Sequence, residues 1–396
     1  MTLLTHADRP VIDPTLLDTV RRIGREVLAP NAADVDRNAR FPREAIEALK
    51  AAKLLSALVP KSLGGMELSI GEVSEICMIL GQHCSASSMI FAMHHIQLAC
   101  IVRHRADSSA LDDYLRSLVE HQWLIASVTS EVGIGGDTRS SICAVVIEGD
   151  RFKLDKKSTA ISYGAYADDL LVTCRRSPDA GSSDQVMVLL RKGDFTLEQT
   201  GNWDTLGMRG TCSPGFNLTS SGPITQIVPG SYGDMSSQTM VPFSHVLWAG
   251  LWLGIATDAV NRAARFVRAA ARRTPGTIPP MATRLAELSI KLQSMRANVN
   301  DVTLTCTELQ YSPDGNEAML SMAFALKMNN LKIYCSSMMV EIVHDALQII
   351  GILGYKNDSE YSVARQLRDA HSASLMVGND RILAKNASLL LVHKEL

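Results

Sequence analysis

The hydrophobic period of this 396-residue chain changes twice along its length. From Pro14 to about His121, runs such as "PREAIEALKAAKLLSAL" and "SIGEVSEICMILGQHCSASSMIFAMHHIQLACIVRH" repeat apolar residues every three or four positions, the spacing of a helix face. From Trp123 the chain alternates in steps of two through "LIASVTSE", "ICAVVIEGDRFKLDKK", "DDLLVTCRR", "QVMVLLRK" and "FTLEQTGNW", and "EGDR" (Glu148 to Arg151) marks a hairpin turn. After Met240 the helical period returns and lasts to the end, in segments too long and too broadly apolar to stand alone. Breaks between helices fall at Pro30, Pro42 and "PKSLGG" (Pro60 to Gly65). These switches predict an α+β multidomain chain: an all-α domain over 1–121, a β domain over 122–235, and an antiparallel helical bundle over 236–396. Surplus apolar surface on such a bundle is expected to make a homodimer or homotetramer.

Charge and cysteine usage narrow the function. Charged residues are 20% of the chain and the net charge is −2, so no strong field recruits nucleic acid or an anionic membrane. Eight scattered cysteines without a CxxC pair read as reduced core thiols, which predicts a cytoplasmic protein and no metal site. The longest unbroken apolar run, "VLWAGLWLGIA" (Val246 to Ala256), has 11 residues, and predicts a buried helix and no transmembrane segment.

Four motifs follow one another in fixed order: "TSEVGIGGD" (Thr129 to Asp137) with Gly133, Gly135 and Gly136; "WDTLGMRGTCS" (Trp203 to Ser213); "ARRTPG" (Ala271 to Gly276); and "QIIGILGY" (Gln348 to Tyr355). Each alone is a turn or a helix cap, but independent turns have no reason to fall at these offsets. With "RDA" at Arg368 to Ala370, the set resembles the acyl-CoA dehydrogenase family, whose segments read approximately TEPGAGSD, LGMRGSDT, RxxFG, QxxGGxGY and RDAK. The resemblance runs from about Phe41 to Leu390.

The resemblance implies a β-barrel-like central domain and an FAD cofactor whose ring lies against it. It places the backbone around Thr129 and Ser130 at the flavin, and "AISYG" puts the hydroxyl of Ser162 near the ring, with Ala160 where the family has a tryptophan. Across a subunit interface, Arg272 would meet the pyrophosphate, a task suited to a guanidinium, together with Gln348, Gly351 and Gly354. Gly378 and Asn379 would border the flavin, and Gly136, Ser244, His94 and His95 the substrate. The substrate would be an acyl-CoA or acyl-carrier-protein thioester. The redox partner would be an electron-transferring flavoprotein, a flavin reductase or oxygen.

The family's α,β-desaturation needs a base for the α-proton, and losing such a base costs about 10² to 10⁴ in rate. Its usual glutamate position is Val377 here, in "MVGN", and the alternative position at the start of the first bundle helix is Ser244. Imidazole is a competent base near neutral pH, so His245 is the leading substitute and His371 the second. Glu131 matches a structural glutamate of the glycine loop. Two other readings follow from the same resemblance. One is a two-component flavin monooxygenase that hydroxylates a small molecule, for which His94 and His95 are cleft candidates. The other is a flavin- or acyl-binding paralogue without turnover.

Overall fold

The computed structural model describes residues 12–393. The N-terminal part holds α1 (Pro14–Ile23), α2 (Ala29–Arg37), α3 (Arg43–Ala51), α4 (Ile70–Gly81), α5 (Ser85–His104) and α6 (Ser109–His121). α4 starts in a capping box: the Glu72 amide donates to Ser69 Oγ (3.2 Å) while the Ser69 amide donates to the Glu72 carboxylate (2.7 Å). α6 starts at Ser108, whose Oγ accepts from the Leu111 amide, and stops at Gln122, which turns left-handed with φ 54°. Three residues later the first strand begins, so the change of period and the change of structure coincide.

The central part contains seven strands, β1 (Ile125–Val128), β2 (Val146–Glu148), β3 (Arg151–Ser158), β4 (Asp169–Arg175), β5 (Gln185–Leu190), β6 (Phe195–Gln199) and β7 (Phe216–Pro223). The "EGDR" turn forms as read: Glu148 pairs with Arg151 across Gly149, which has φ 64°. Two separate sheets result, one in the order β1-β4-β5 and one in the order β2-β3-β7-β6. The barrel-like expectation is therefore corrected, because the sheets do not close. The interior strand β7 escapes the sequence reading, since "FNLTSSGP" alternates small polar residues with only Phe216 and Leu218 as buried large apolar ones. On β3 the inward positions are Phe152, Leu154, Lys156 and Ser158, so a lysine lies in the core.

The C-terminal part contains α7 (Tyr232–Met235), α8 (Val241–Arg273), α9 (Ala282–Tyr311), α10 (Gly315–Ala318), α11 (Met322–Ile350), α12 (Ile352–Tyr355), α13 (Ala364–Ala370) and α14 (Asn379–Leu390). "VLWAGLWLGIA" is a buried stretch of α8, as its length suggested. Its glycines let α4 approach the backbone closely: a Cβ at Gly250 would sit 2.5 Å from Ser74 Oγ, and one at Gly254 2.3 Å from the Met78 carbonyl oxygen. Three segments, Ser85–His104, Tyr232–Arg273 and Met322–Ile350, are long and apolar enough to cross a membrane, contrary to the expectation drawn from the longest unbroken run. Their hydropathy is spread over windows that include serines and histidines. Those windows are 89%, 94% and 44% buried within the fold, so only α11 leaves much of its apolar surface uncovered.

Gly254→Ala puts a methyl group against main chain that cannot yield, so it lowers the unfolding free energy by about 1 to 3 kcal/mol. Chemical denaturation checks this, and a change below about 0.5 kcal/mol, the range of ordinary surface substitutions, would contradict the close contact.

Candidate active site

The loop Trp203–Ser213 is drawn tightly onto α13. Gly207 makes this possible, since a Cβ there would lie 2.2 Å from the Arg368 carbonyl oxygen. The next residue, Met208, turns left-handed (φ 51°), and its amide donates to Asp369 Oδ1 at 2.7 Å. The Met208 carbonyl in turn accepts from Trp203 Nε1 (3.1 Å) and Thr211 Oγ1 (2.8 Å). Burial raises the pKa of the Asp369 carboxyl, opposed by Arg365 and by the Met208 amide. Arg368 pairs with Asp36 of α2 and so ties the N-terminal helices to the same joint.

Behind the joint lies a cavity of about 460 Å³. Met89 and Met93 of α5, Trp203, Leu206, Leu375 and Met376 give it apolar walls. On one side three hydroxyls are linked: Thr211 Oγ1 and Ser213 Oγ lie 2.9 Å apart, and Ser213 Oγ donates to Ser162 Oγ at 2.9 Å. A flat heteroaromatic ring, apolar on its faces and polar at its edge, fits walls of this kind, and Ala160 leaves room where a larger side chain would fill it. Arg368 and His371 are the titratable residues of the lining; Arg368 is engaged by Asp36, whereas His371 is exposed. No carboxylate belongs to the wall among the described residues.

The other predicted residues are dispersed. Ser130 lies at the end of β1, its Oγ donating to the Ala160 carbonyl (2.7 Å) and accepting from the Ala160 amide (3.1 Å); it thereby fixes the segment that leads to Ser162. Thr129 beside it is half-buried. Gly133, Gly135 and Gly136 all have positive φ, and Arg381 of α14 donates to the Gly135 carbonyl. Glu131 is structural in geometry: its carboxylate accepts from Ser141 Oγ (2.7 Å) and the amides of Ile142 (3.1 Å) and Cys143 (2.6 Å), with Lys156 Nζ at 3.7 Å. Arg272 and Gln348 are exposed at the ends of α8 and α11. Gly351 (φ 70°) ends α11, and Gly354 is buried against Ile350.

The structure does not bring His245 to this wall. It is buried in α8 with Nδ1 donating to the Met328 carbonyl of α11 at 3.0 Å, and burial lowers its pKa to about 4. Ser244 beside it donates to the Met240 carbonyl at 2.5 Å. His94 and His95 are also outside the lining. His94 Nδ1 accepts from the Ile125 amide (3.0 Å), so Nε2 carries the proton and donates to the Leu55 carbonyl (2.6 Å); burial lowers its pKa to about 4. His95 Nδ1 donates to the Phe91 carbonyl at 2.9 Å. Val377 has φ 54° and is 42% exposed; Gly378 follows with φ 38°. Asn379, the first residue of α14, points its amide at α11. Trp203, Met208, Thr211 and Ser213 were missed as individual wall residues, although their motif was noticed. The signal was the glycine before Met208, which allows the loop to touch another backbone.

Residues 14–122 match the family model "Acyl-CoA dehydrogenase, N-terminal domain", and residues 237–388 match "Acyl-CoA dehydrogenase, C-terminal domain". The chain belongs to the acyl-CoA dehydrogenase family. Within this family it is similar to cyclohex-1-ene-1-carbonyl-CoA dehydrogenase of Geobacter metallireducens, with 24% identity covering 92% of this chain and 94% of that protein. It is also similar to the amino sugar nitrososynthase DnmZ of Streptomyces peucetius, with 23% identity covering 91% and 88%. The fold matches that of FMN-bound TdsC from Paenibacillus sp. A11-2, with TM-score 0.83 and 19% identity over 96% of this chain and 98% of that one. This acyl-CoA dehydrogenase-family chain thus has relatives of more than one reaction class, and its own wall must separate them.

The buried imidazoles and the strained turn at Val377 can each be tested. His94 and His245 are neutral in the fold but bind protons near pH 6.5 once unfolded, so their contribution is complete above pH 6.5 and is lost as pH falls toward 4. Urea unfolding measured from pH 7 to pH 4 should show that loss, roughly 3 kcal/mol for each imidazole, and a flat profile would contradict it. Val377→Asn places a residue tolerant of positive φ in the turn, and raises the unfolding free energy by about 1 kcal/mol in the same assay.

Proposed function

We propose that the chain is a flavin-dependent oxidoreductase that oxidises an apolar organic substrate in this cavity, with His371 as the group that exchanges a proton with it. The observation that carries the reading is the wall itself: apolar side chains, a linked row of hydroxyls, one exposed imidazole and, among the described residues, no carboxylate. FAD is the first choice of flavin and FMN the second. Bound flavin supplies two-electron oxidation, either by accepting hydride or by activating oxygen when reduced. Ser162, supported by Ser213 and Thr211, would offer its hydroxyl to the edge of such a ring. Asp369 and Gly207 hold the loop that forms one wall.

Of the two reactions, oxygenation of a small molecule, with reduced flavin delivered by a reductase, agrees better with this wall. It requires no carboxylate at an α-carbon, and both positions that would supply one are Val377 and Ser244. Desaturation of an acyl thioester stays as the second reading. It is favoured by the position of His371 on the wall, where an imidazole could take the α-proton, and by the relatives that act on CoA esters. Arg272, Gln348, Gly351 and Gly354 lie off the wall, so a flavin role for them requires a second copy of the chain. A homodimer or homotetramer is supported by the uncovered surface of α11 and by Ile352 and Tyr355, each 70% exposed. The eight free cysteines accord with a cytoplasmic setting.

The test begins with flavin-loaded protein and a panel of acyl-CoAs under anaerobic conditions. The assay then supplies reduced flavin, oxygen and aromatic, amine or thioether substrates. The proposal expects product only in the second arm, lowered about 10² to 10⁴-fold in His371→Ala. Flavin bleaching by an acyl-CoA in the first arm transfers the assignment to desaturation, and turnover unaffected by His371→Ala removes that residue from the chemistry.

A further inference from the structure

The bundle contains a buried cation that the site described so far does not use. Lys332, in the middle of α11, has a relative exposure of 0%, and no carboxylate forms a salt bridge with it among the described residues. A buried ammonium is costly unless its hydrogens find acceptors, so whatever accepts from it is held firmly. Its Nζ donates to Asn379 Oδ1 at 2.6 Å, and the Asn379 Nδ2 donates to Ser336 Oγ, one turn along α11, at 3.0 Å. Both ends of the Asn379 amide are therefore bound to one helix. Burial lowers the Lys332 pKa only to about 8, so near pH 7 the side chain is still predominantly an ammonium donor.

Asn379 is not an arbitrary anchor. Its backbone amide donates to the Ser374 carbonyl at 3.0 Å, which closes the turn that follows α13. That turn carries His371, Leu375 and Met376 on the cavity wall, and it passes through Val377 and Gly378, both at positive φ. A β-branched residue in the left-handed region is costly and persists only where neighbouring contacts over-determine it. The side chain of Val377 is 42% exposed, so its own packing does not explain the conformation. The bonds at Asn379, directly after the two positive-φ residues, are among the contacts that hold the turn in this shape.

We propose that Lys332 is a positioning residue: through Asn379 it clasps the turn after α13 onto α11 and so sets the place of His371 and Met376 on the cavity wall. The clasp itself rests on geometry alone, and its consequence for flavin rests on the function proposed above. The lysine is not among the residues that line the cavity. It acts by fixing the end of the turn, much as a second hydrogen-bonding group orients a ligand-holding one.

The test is hydrogen exchange on wild type, Lys332→Met, Asn379→Leu and the double variant, paired with FAD and FMN titrations followed by flavin fluorescence. Lys332→Met should speed exchange of the amides in 371–379 by at least about tenfold, while amides in the core of α8 keep their wild-type rates. The double variant, with both polar partners replaced by apolar groups, should recover part of that protection, because neither is left buried and unpaired. Unchanged exchange in 371–379, or loosening spread equally over the bundle, would overturn the clasp. If Lys332→Met does not fold, Asn379→Leu and the wild-type exchange map still decide, because the clasp requires local loosening in that variant too. Flavin affinity should fall in Lys332→Met and return in part in the double variant; wild-type affinity in Lys332→Met would overturn its positioning of the wall. Failure of wild type to take flavin would instead overturn the functional reading and leave the exchange result on the clasp intact.

Discussion

The hydrogen bond from the Met208 amide to the Asp369 carboxylate is the contact on which the candidate site depends. It joins a loop of the β domain to a helix of the C-terminal part, 161 residues apart in sequence, at a point where Gly207 brings two backbones almost into contact. The polar side of the wall is built from it. Trp203 and Thr211 bond to the Met208 carbonyl, Ser213 and Ser162 continue the hydroxyl row, and the turn carrying His371 begins where α13 ends. Asp36 pairs with the neighbouring Arg368, so the N-terminal helices are drawn into the same joint.

Polar groups buried elsewhere in the fold act as joinery. His94 links α5 both to β1 and to the turn at Leu55, and does so as a neutral ring. Glu131 and Lys156 meet inside the β domain, where the carboxylate gathers three donors at the end of the glycine loop and the ammonium donates to the Thr173 carbonyl at 2.5 Å. Such pairs contribute less net stability than their Coulomb attraction suggests, since both partners give up hydration, but removing one partner leaves the other buried and uncompensated. Their common effect is to fix loops that side-chain packing alone would leave free to slide.

The architecture was legible because hydrophobic period is a local property. The ends of α6 and the start of β1 fall where alternation replaces helical spacing, and the hairpin at Gly149 follows from its two turn residues. β7 was not legible, because a central strand made of Asn217, Thr219, Ser220 and Ser221 draws its stability from neighbouring strands rather than from its own apolar content. The site divides in the same way. Ser162 and the "LGMRG" loop were visible as motifs, whereas the choice between His245 and His371 turned on side-chain direction, which spacing does not give. His245 points to a carbonyl of α11, and His371 lies on the wall. Lys332 gave no signal at all, since a single lysine in an apolar helix reads as a solvent-facing residue until the packing is known.

The central claim is that the loop-to-helix joint builds the flavin-holding wall. The most direct measurement is a fluorescence titration of FAD and FMN into Asp369→Ala beside wild type, with circular dichroism confirming that both remain folded. Leaving the buried Met208 amide without its acceptor should weaken flavin binding by about tenfold to a hundredfold while the helical signal is retained. Equal affinity in the two folded proteins would contradict the claim, and would mean that flavin is held without the wall that Asp369 keeps in place.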